Sequence, residues 1–490
     1  MYPITRRSFL KQSSIAAATF SLSARSWSQI DGANNDIRIG IIGLNGRGDS
    51  HIQEFKNMKG ARITAMCDVD RNILEREVGN LKAAGKEVEA YTDLRKLIES
   101  KNIDAIAIAT PNHWHALATI WGVQAGKDIY VEKPISHNVF EGRKAVEAAR
   151  KYKKIVQGGT QARSSTAIRE AIEWVNAGNL GKINLARGLC YKPRPSIGKT
   201  SAPTPIPAHI DYDLWCGPAP LTPSHRNNPK FGPVHYDWHW IWDYGNGDLG
   251  NQGVHQMDVA RWFLGEKELS PRVFAVGGRL GYEDDGETPN TMMIFHDYKK
   301  APLIFEVRGL PEKSGSTQMD KYKGAGIGVV VECENGYVIV TSKYREAIAF
   351  DNNGVEIKKF EGEENHFENF IKAVRSRKTS DLNGDILEGH ISAGLCHTGN
   401  ISYRVGKHVG KESAPEKIRD AIKSDKGATE TFERMAAHLE ANGVDLEKTK
   451  VTFGAVLQMD TKSEKFTNSS AANKLLTRDY RKPFVVPEKV

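Results

Sequence analysis

The residues best equipped for chemistry stand where apolar runs give way to turns. Gly43-Leu44-Asn45-Gly46-Arg47-Gly48 follows the apolar run Ile37–Ile42 and precedes a helical pattern beginning near Ser50. A strand, a glycine-rich turn and a helix N-terminus together cradle a pyrophosphate, because unpaired backbone N–H groups face an anion that no side chain keeps away. The middle glycine of the G-x-G-x-x-G fingerprint is Asn45, a residue that tolerates unusual backbone angles, and Gly46 adds freedom beside it. Asp68 lies 20 residues beyond Gly48, where a carboxylate accepts hydrogen bonds from a ribose diol. The same charge repels a 2′-phosphate, so NAD is favoured over NADP, and Asp68 is preferred to Asp70. Thr110-Pro111-Asn112-His113-Trp114-His115 reads as a loop leaving the apolar run Ile103–Ala109, and Glu132-Lys133-Pro134 leaves Asp128–Val131. Residues at the carboxyl ends of parallel strands face one crevice. There Lys133, fixed by the following Pro134, points at the crevice and is read as a functional lysine.

A second concentration runs from His235 to Gly245 and holds Trp238, His239, Trp240, Trp242 and Asp243. Aromatic faces stack on the C–H surfaces of sugars while Asp and His hold hydroxyls, so Trp238, His239, Trp242 and Asp243 are expected to wall a substrate site. The three tryptophans at alternate positions also suit one inward face of a strand. The run leads into Gly247-Asp248-Leu249-Gly250-Asn251-Gln252-Gly253-Val254-His255, after which a helix ends at Gly265. His235, His239 and His255 lack metal-ligand spacing such as H-E-x-x-H, and no metal is expected.

These residues need a parallel sheet that brings strand ends together. Ile37–Ile42, Arg62–Cys67, Ile103–Ala109 and Asp128–Val131 read as short strands, the central ones buried on both faces. Beyond them Ile183–Tyr191 reads as a strand, then a Pro-rich loop carries Tyr212, Trp215 and His225. The runs Phe274–Leu280, Thr291–Phe295, Pro302–Val307, Ile327–Cys333 and Tyr337–Thr341 suit consecutive antiparallel strands, followed by helices His366–Ser376 and Gly384–Val405. The chain divides into a leader over 1–30, a Rossmann domain over 36–160, a substrate and oligomerisation domain over 161–410, and a charged extension over 411–490 that wraps the body. The fold class is α/β: a doubly wound parallel sheet, then an α/β domain with a large, open, mostly antiparallel sheet.

Thr5-Arg6-Arg7-Ser8-Phe9-Leu10-Lys11 before a mild apolar stretch matches a twin-arginine export signal, which implies the export machinery as a partner and a periplasmic or otherwise exported address. The stretch is too short to span a bilayer. The formal net charge of +8 is spread over 490 residues, with no dense Lys/Arg run among aromatics, so no nucleic-acid partner is expected. The five cysteines are widely spaced without C-x-x-C, which argues against a disulfide framework or zinc site.

With these motifs the chain resembles the glucose–fructose oxidoreductase/inositol dehydrogenase (Gfo/Idh/MocA) family over roughly 37–407. The resemblance implies the two-domain fold above, a tightly held NAD and homo-oligomers through the open sheet. It places Lys133 near the nicotinamide and the reacting hydroxyl, and makes His255 the catalytic histidine. It assigns Gly43, Asn45, Gly46, Arg47, Gly48, Asp68, Thr110, Pro111, Asn112, His115, Glu132, Lys133 and Gln161 to the cofactor. Tyr191, Trp238, His239, Trp242, Asp243, Asn251 and His255 fall to a small carbohydrate. Family members usually carry Asp four residues before the histidine; Asn251 stands there and alters the usual arrangement. The reading that follows is an NAD-dependent oxidoreductase of a sugar or polyol. A redox-cycling glycosidase or lyase acting through a 3-keto sugar is the alternative, and an inactive sugar- or cofactor-binding protein a third.

Overall fold

The structure is a computed structural model, and it describes residues 35–409, 414–423, 425–449 and 451–490. The twin-arginine segment lies outside the described residues. The first sheet has six parallel strands, β1 (Ile37–Ile42), β2 (Ala61–Cys67), β3 (Glu89–Tyr91), β4 (Ala105–Ile108), β5 (Asp128–Val131) and β6 (Val156–Gly158). Their order is β3-β2-β1-β4-β5-β6. The helices between them are α1 (Arg47–Phe55), α2 (Arg71–Ala83), α3 (Leu94–Glu99), α4 (Asn112–Gln124) and α5 (Val139–Lys151). The order reverses direction at β1 and β4, and this switch point opens the crevice in which doubly wound sheets bind ligands. β1, β4 and β5 are apolar and almost wholly buried, as strands covered on both faces must be.

The second half begins with α6 (Thr166–Asn176), β7 (Ile183–Tyr191), α7 (Tyr212–Cys216) and α8 (Val254–Leu264). Seven strands follow: β8 (Arg272–Gly278), β9 (Thr291–His296), β10 (Leu303–Arg308), β11 (Ile327–Cys333), β12 (Gly336–Thr341), β13 (Glu346–Phe350) and β14 (Glu356–Glu361). Then come α9 (His366–Ser376), α10 (Ile386–Arg404) and β15 (Lys407–Val409). The extension adds α11 (Ala414–Ile422), α12 (Lys426–Ala441), β16 (Val451–Phe453), β17 (Leu457–Asp460), β18 (Lys465–Phe466) and α13 (Ser470–Lys474). The path β14-β13-β12-β11-β7-β10-β9-β8-β16-β15 is antiparallel throughout, apart from the parallel β7–β10 pair.

One face of this sheet is covered by α6, α8 and α10. The other is covered by the extension: Ile418, Ile422, Phe432, Met435 and Leu439 pack on Phe274, Met293, Phe295 and Ile304. Helix α9 returns to the first domain, where Phe367 stacks on Tyr130 at 4.6 Å and Phe370 is buried among the same apolar side chains. The last residues return too, with Phe484 edge-on to Trp114 at 5.4 Å.

Two sequence expectations need correction. Asn112–His115 is the first turn of α4, which starts directly after Pro111, a residue whose fixed φ suits a helix start. Trp238, Trp240 and Trp242 do not share a strand face, because Asp237–Trp240 turns as a 3-10 helix.

Candidate functional site

A cavity of about 620 Å3 opens at the switch point, within the range of about 300–1,000 Å3 usual for small-molecule and cofactor sites. Its floor is the glycine loop. Gly43 has φ +81°, and a Cβ there would stand 2.8 Å from the Ala109 carbonyl. At Gly48 a Cβ would stand 1.9 Å from the Gly43 carbonyl oxygen, so only glycine lets α1 start this close to β1. Gly46, at φ 55° and ψ −102°, occupies the N-cap of α1 and supplies no side-chain cap, which leaves N–H groups of the first turn free for an anion. A Gly48→Ala variant is therefore expected to purify without dinucleotide, measured as absorbance of NAD(H) released on denaturation.

Asp68 lines the cavity and holds the loop in place: its Oδ2 accepts the Leu44 N–H at 2.8 Å and its Oδ1 the Asp70 N–H at 2.9 Å. Burial pushes its pKa up against these backbone donors. Asp70 is otherwise engaged, capping α2 through the Asn72 and Ile73 N–H groups and meeting His235 Nε2 at 3.1 Å. That last contact belongs to a larger junction in which residues 207–211 of the long loop lie across the α2 start, with the Asp211 N–H donating to Val69 and the Arg71 N–H to His209. The same loop brings Leu214 and Trp215 into the cavity wall.

On the opposite wall, Glu132 is buried. Its Oε1 receives Arg47 Nε at 2.7 Å, His51 Nε2 at 3.1 Å and Gln161 Nε2 at 3.3 Å, and its Oε2 accepts the Lys133 N–H at 3.2 Å. Burial alone would raise the Glu132 carboxyl, but Arg47, His51 and Lys133 outweigh it and hold the carboxyl well below the usual range. Gln161 is absent from the cavity wall and stands behind Glu132, also reaching the Tyr130 hydroxyl at 3.3 Å. Arg47 lines the cavity with its guanidinium committed to Glu132. His115 sits between the carbonyl oxygens of Thr110 at 2.7 Å and Pro134 at 2.6 Å, tying the turns after β4 and β5 together.

Lys133 lines the cavity, and its Nζ donates to the Asn251 carbonyl at 2.6 Å. Burial, with Arg47 adding to it against Glu132, brings the ammonium pKa down to about 8. Asn251 belongs to a π-helical turn, Leu249–Gly253, that runs directly into α8. His255, in the first turn of α8, lies with its ring 5.5 Å from that of Tyr344 and its Nδ1 buried without a partner. Burial and the Lys133 charge lower it to about 3, so the imidazole is neutral. It stands behind the cavity wall rather than in it.

The outer wall is aromatic. Trp238 and His239 stack with ring centres 3.7 Å apart, and Phe231 stacks on Tyr236 at 4.9 Å. Burial brings His239 to about 3, leaving it neutral with Nδ1 bonded to the Tyr236 carbonyl. Phe231, Tyr236, His235 and Trp215 complete the wall. Phe231 escaped the sequence reading, since a lone aromatic in a loop carries no periodic signal.

Three expected substrate residues lie elsewhere. Tyr191 is buried, and its hydroxyl donates to Glu306 at 2.8 Å within a cluster that includes Arg187, Arg308 and Arg434 of α12. It shares a strand face with Arg187, the face turned to the extension and away from α8. Trp242 and Asp243 line a separate cavity, because the 3-10 turn before them swings the chain away from Trp238 and His239. The three histidines once considered together also part: His235 goes to Asp70, His239 to Tyr236 and His255 to Tyr344.

The residues present fit a dinucleotide. Thr110 Oγ1 and Asn112 Oδ1 are buried without partners on residues of the cavity wall, and the glycine cradle excludes any Cβ where backbone must approach a phosphate.

Comparison with known proteins agrees. Residues 37–160 match the GFO_IDH_MocA family, described as an oxidoreductase family with an NAD-binding Rossmann fold, and residues 168–298 match its C-terminal alpha/beta domain, together about half of the chain. Curated relatives include glycosyl hydrolase family 109 protein 2 of Shewanella sp. (strain ANA-3), 31% identical over 28% of this chain and 35% of its own length. A glycosyl hydrolase family 109 protein of Shewanella baltica (strain OS155) is 34% identical over 24% of this chain and 27% of its own. The matches therefore span about a third or less of these relatives. Among solved structures, the WlbA dehydrogenase of Bordetella pertussis, in complex with NADH and UDP-GlcNAcA, aligns with a TM-score of 0.54 at 19% identity, covering 74% of this chain and 94% of that one. An oxidoreductase of Agrobacterium radiobacter, in complex with NAD+, L-tartaric acid and magnesium, aligns at 0.53 and 14% identity over 74% and 95%. At such identities these two speak to the fold.

Proposed function

This chain belongs to the Gfo/Idh/MocA family of NAD-binding oxidoreductases, and we propose that it oxidises a carbinol carbon of a sugar or polyol to the carbonyl, or reduces that carbonyl in the reverse direction, with NAD held in the first cavity. The observation that carries this reading is the Lys133 amine, set in the cavity wall between the dinucleotide cradle and the Trp238–His239 aromatic stack. Bound there, the nicotinamide supplies a hydride acceptor and donor. Lys133, with its pKa near 8, takes the hydroxyl proton as the neutral amine and returns it in the reverse direction. Asn251 orients that amine through its carbonyl. An Asn side chain cannot accept a proton, and neutral His255 lies behind the wall, so the proton falls to Lys133. Asp68 favours NAD by repelling a 2′-phosphate. The twin-arginine signal assigns the protein to the exported compartment, with the cofactor loaded before transport and kept. Self-association is assigned to β12 and β13, whose Tyr337, Ile339, Ile348 and Phe350 remain partly exposed.

A second reading is favoured by the family 109 glycosyl hydrolases among the relatives: cleavage of a glycoside without net redox change, begun by the same proton abstraction at Lys133. Incubating the purified protein with p-nitrophenyl glycosides in D2O, with no cofactor added, separates the two. Nitrophenol release with deuterium at the sugar C2 supports the glycosidase. Conversion of one sugar only alongside a second reducible sugar supports the oxidoreductase. Neither, across a broad panel with NAD bound, contradicts both.

A further inference from the structure

A second cavity, of about 580 Å3, shares no lining residue with the first. It lies between the Trp242–Asn246 segment, helix α10 and the end of the extension. Its inner wall offers hydrogen-bond donors that no described residue accepts. Asn246 is 5% exposed, and its Nδ2 is buried without a partner. Arg478 Nη1 approaches His137 Nδ1 at 3.3 Å, which makes Nδ1 the acceptor and leaves the proton on Nε2. That Nε2–H is also buried and unpartnered.

The two guanidiniums at the wall make no direct ion pair among the described residues. Arg404 lies over the Trp242 ring at 5.1 Å, and Arg478 donates to the Asp243 carbonyl at 2.9 Å. Neither pairs within 4 Å with a carboxylate among the described residues. Asp243 and Asp479 also line the cavity, as does Lys474, and Glu287 is held nearby by the Trp242 N–H. Glu141 also faces Arg478, so acids stand near both guanidiniums without bonding them directly, and burial with Arg478 keeps the Arg404 pKa below its usual value despite Glu287 and Asp243. An anion received there gains charge-assisted hydrogen bonds that no carboxylate among the described residues makes to either arginine.

We propose that this cavity binds a small molecule through a carboxylate or phosphoryl oxyanion, received between Arg404 and Arg478 with Asn246 and His137 as neutral donors. Planar guanidiniums suit such groups because they offer parallel N–H bonds to two oxygens. Since Arg478 belongs to the extension, the ligand also fastens that segment to the second domain.

The test is calorimetric titration of the NAD-loaded protein with sodium phosphate and, separately, sodium glucuronate at low ionic strength. Bound NAD keeps phosphate out of the dinucleotide cradle. Saturable one-to-one binding is expected, weakened about tenfold or more in Arg404→Gln and less in Arg404→Lys, as loss of one charge-assisted contact requires. NAD content should stay unchanged in each variant, which separates this site from the catalytic one. Binding of phosphate alone identifies a phosphoryl ligand, and of glucuronate alone a carboxylate. Arg478→Gln gives the same reading should Arg404→Gln fail to fold. No saturable binding of either anion by the unaltered protein, or equal affinity in the folded variants, overturns the proposal.

Discussion

Lys133→Met is expected to lower turnover by about 10^2–10^4-fold, the usual contribution of a positioned general base, while the variant still purifies with its dinucleotide. The distinction follows from the geometry. The glycine loop and Asp68 hold the cofactor on one wall, and the Lys133 amine reaches the other through the Asn251 carbonyl. The pH dependence follows from the same group. With a pKa near 8, Lys133 is mostly ammonium at pH 6 and has no lone pair to offer. The rate in the oxidative direction should therefore rise about tenfold per pH unit below 8 and level off above it, since each pH unit changes the free-amine fraction tenfold. His255 and His239, neutral above pH about 5, add no limb near pH 6–7. Lys133→Arg keeps the charge and cannot lose its proton, so it should be as inactive as Lys133→Met. Full activity in Lys133→Arg would reduce the lysine to electrostatic support.

Ending the chain after Val409 should abolish soluble, cofactor-loaded protein. The extension reads in sequence as a charged tail, yet it covers the apolar part of one sheet face over β8, β9 and β10. Phe432, Met435 and Leu439 are fully buried against Phe274, Phe295 and Ile304. Each such side chain contributes about 1.5–3 kcal/mol of burial, so the three together contribute an amount comparable with the net stability of about 5–15 kcal/mol typical of a folded protein. The cut also strips Glu306 of Arg434, a partner at 2.7 Å, in the fully buried cluster that holds its carboxyl at about 2. The single change Phe432→Ala measures the effect in a protein that still folds: about 3–5 kcal/mol lost in denaturant unfolding. A loss below about 1 kcal/mol, the range of surface substitutions, would mean that α12 is not part of the core.

The dinucleotide half was the most legible in sequence because its signals are local. An apolar run of strand length, glycines that no Cβ can replace, and an acid on the next strand each stand close together along the chain. Lys133 was equally readable as the end of a buried strand. What escaped depended on side-chain direction or distant partners. Tyr191 was misplaced although strand parity with Arg187 contains the answer: the two share a face, and that face carries arginine clusters. The parting of Trp238 and His239 from Trp242 and Asp243 needed the 3-10 turn, which the alternating tryptophans disguised. Asn112–His115 looked like a loop because its polar residues hid a helix start. The extension was read as a charged tail, though Ala428, Phe432, Met435 and Leu439 recur at helical spacing. The partner that buries them is more than a hundred residues away.

Every step proposed above requires a nicotinamide dinucleotide in the crevice between the glycine loop and Lys133. The most direct test is to denature the purified protein and quantify NAD(H) and NADP(H) in the supernatant, with added NAD titrated into the native protein in parallel. NAD(H) is expected, near one equivalent per chain and without NADP(H), or stoichiometric uptake of added NAD by a partly empty preparation. No dinucleotide released and none taken up would contradict it.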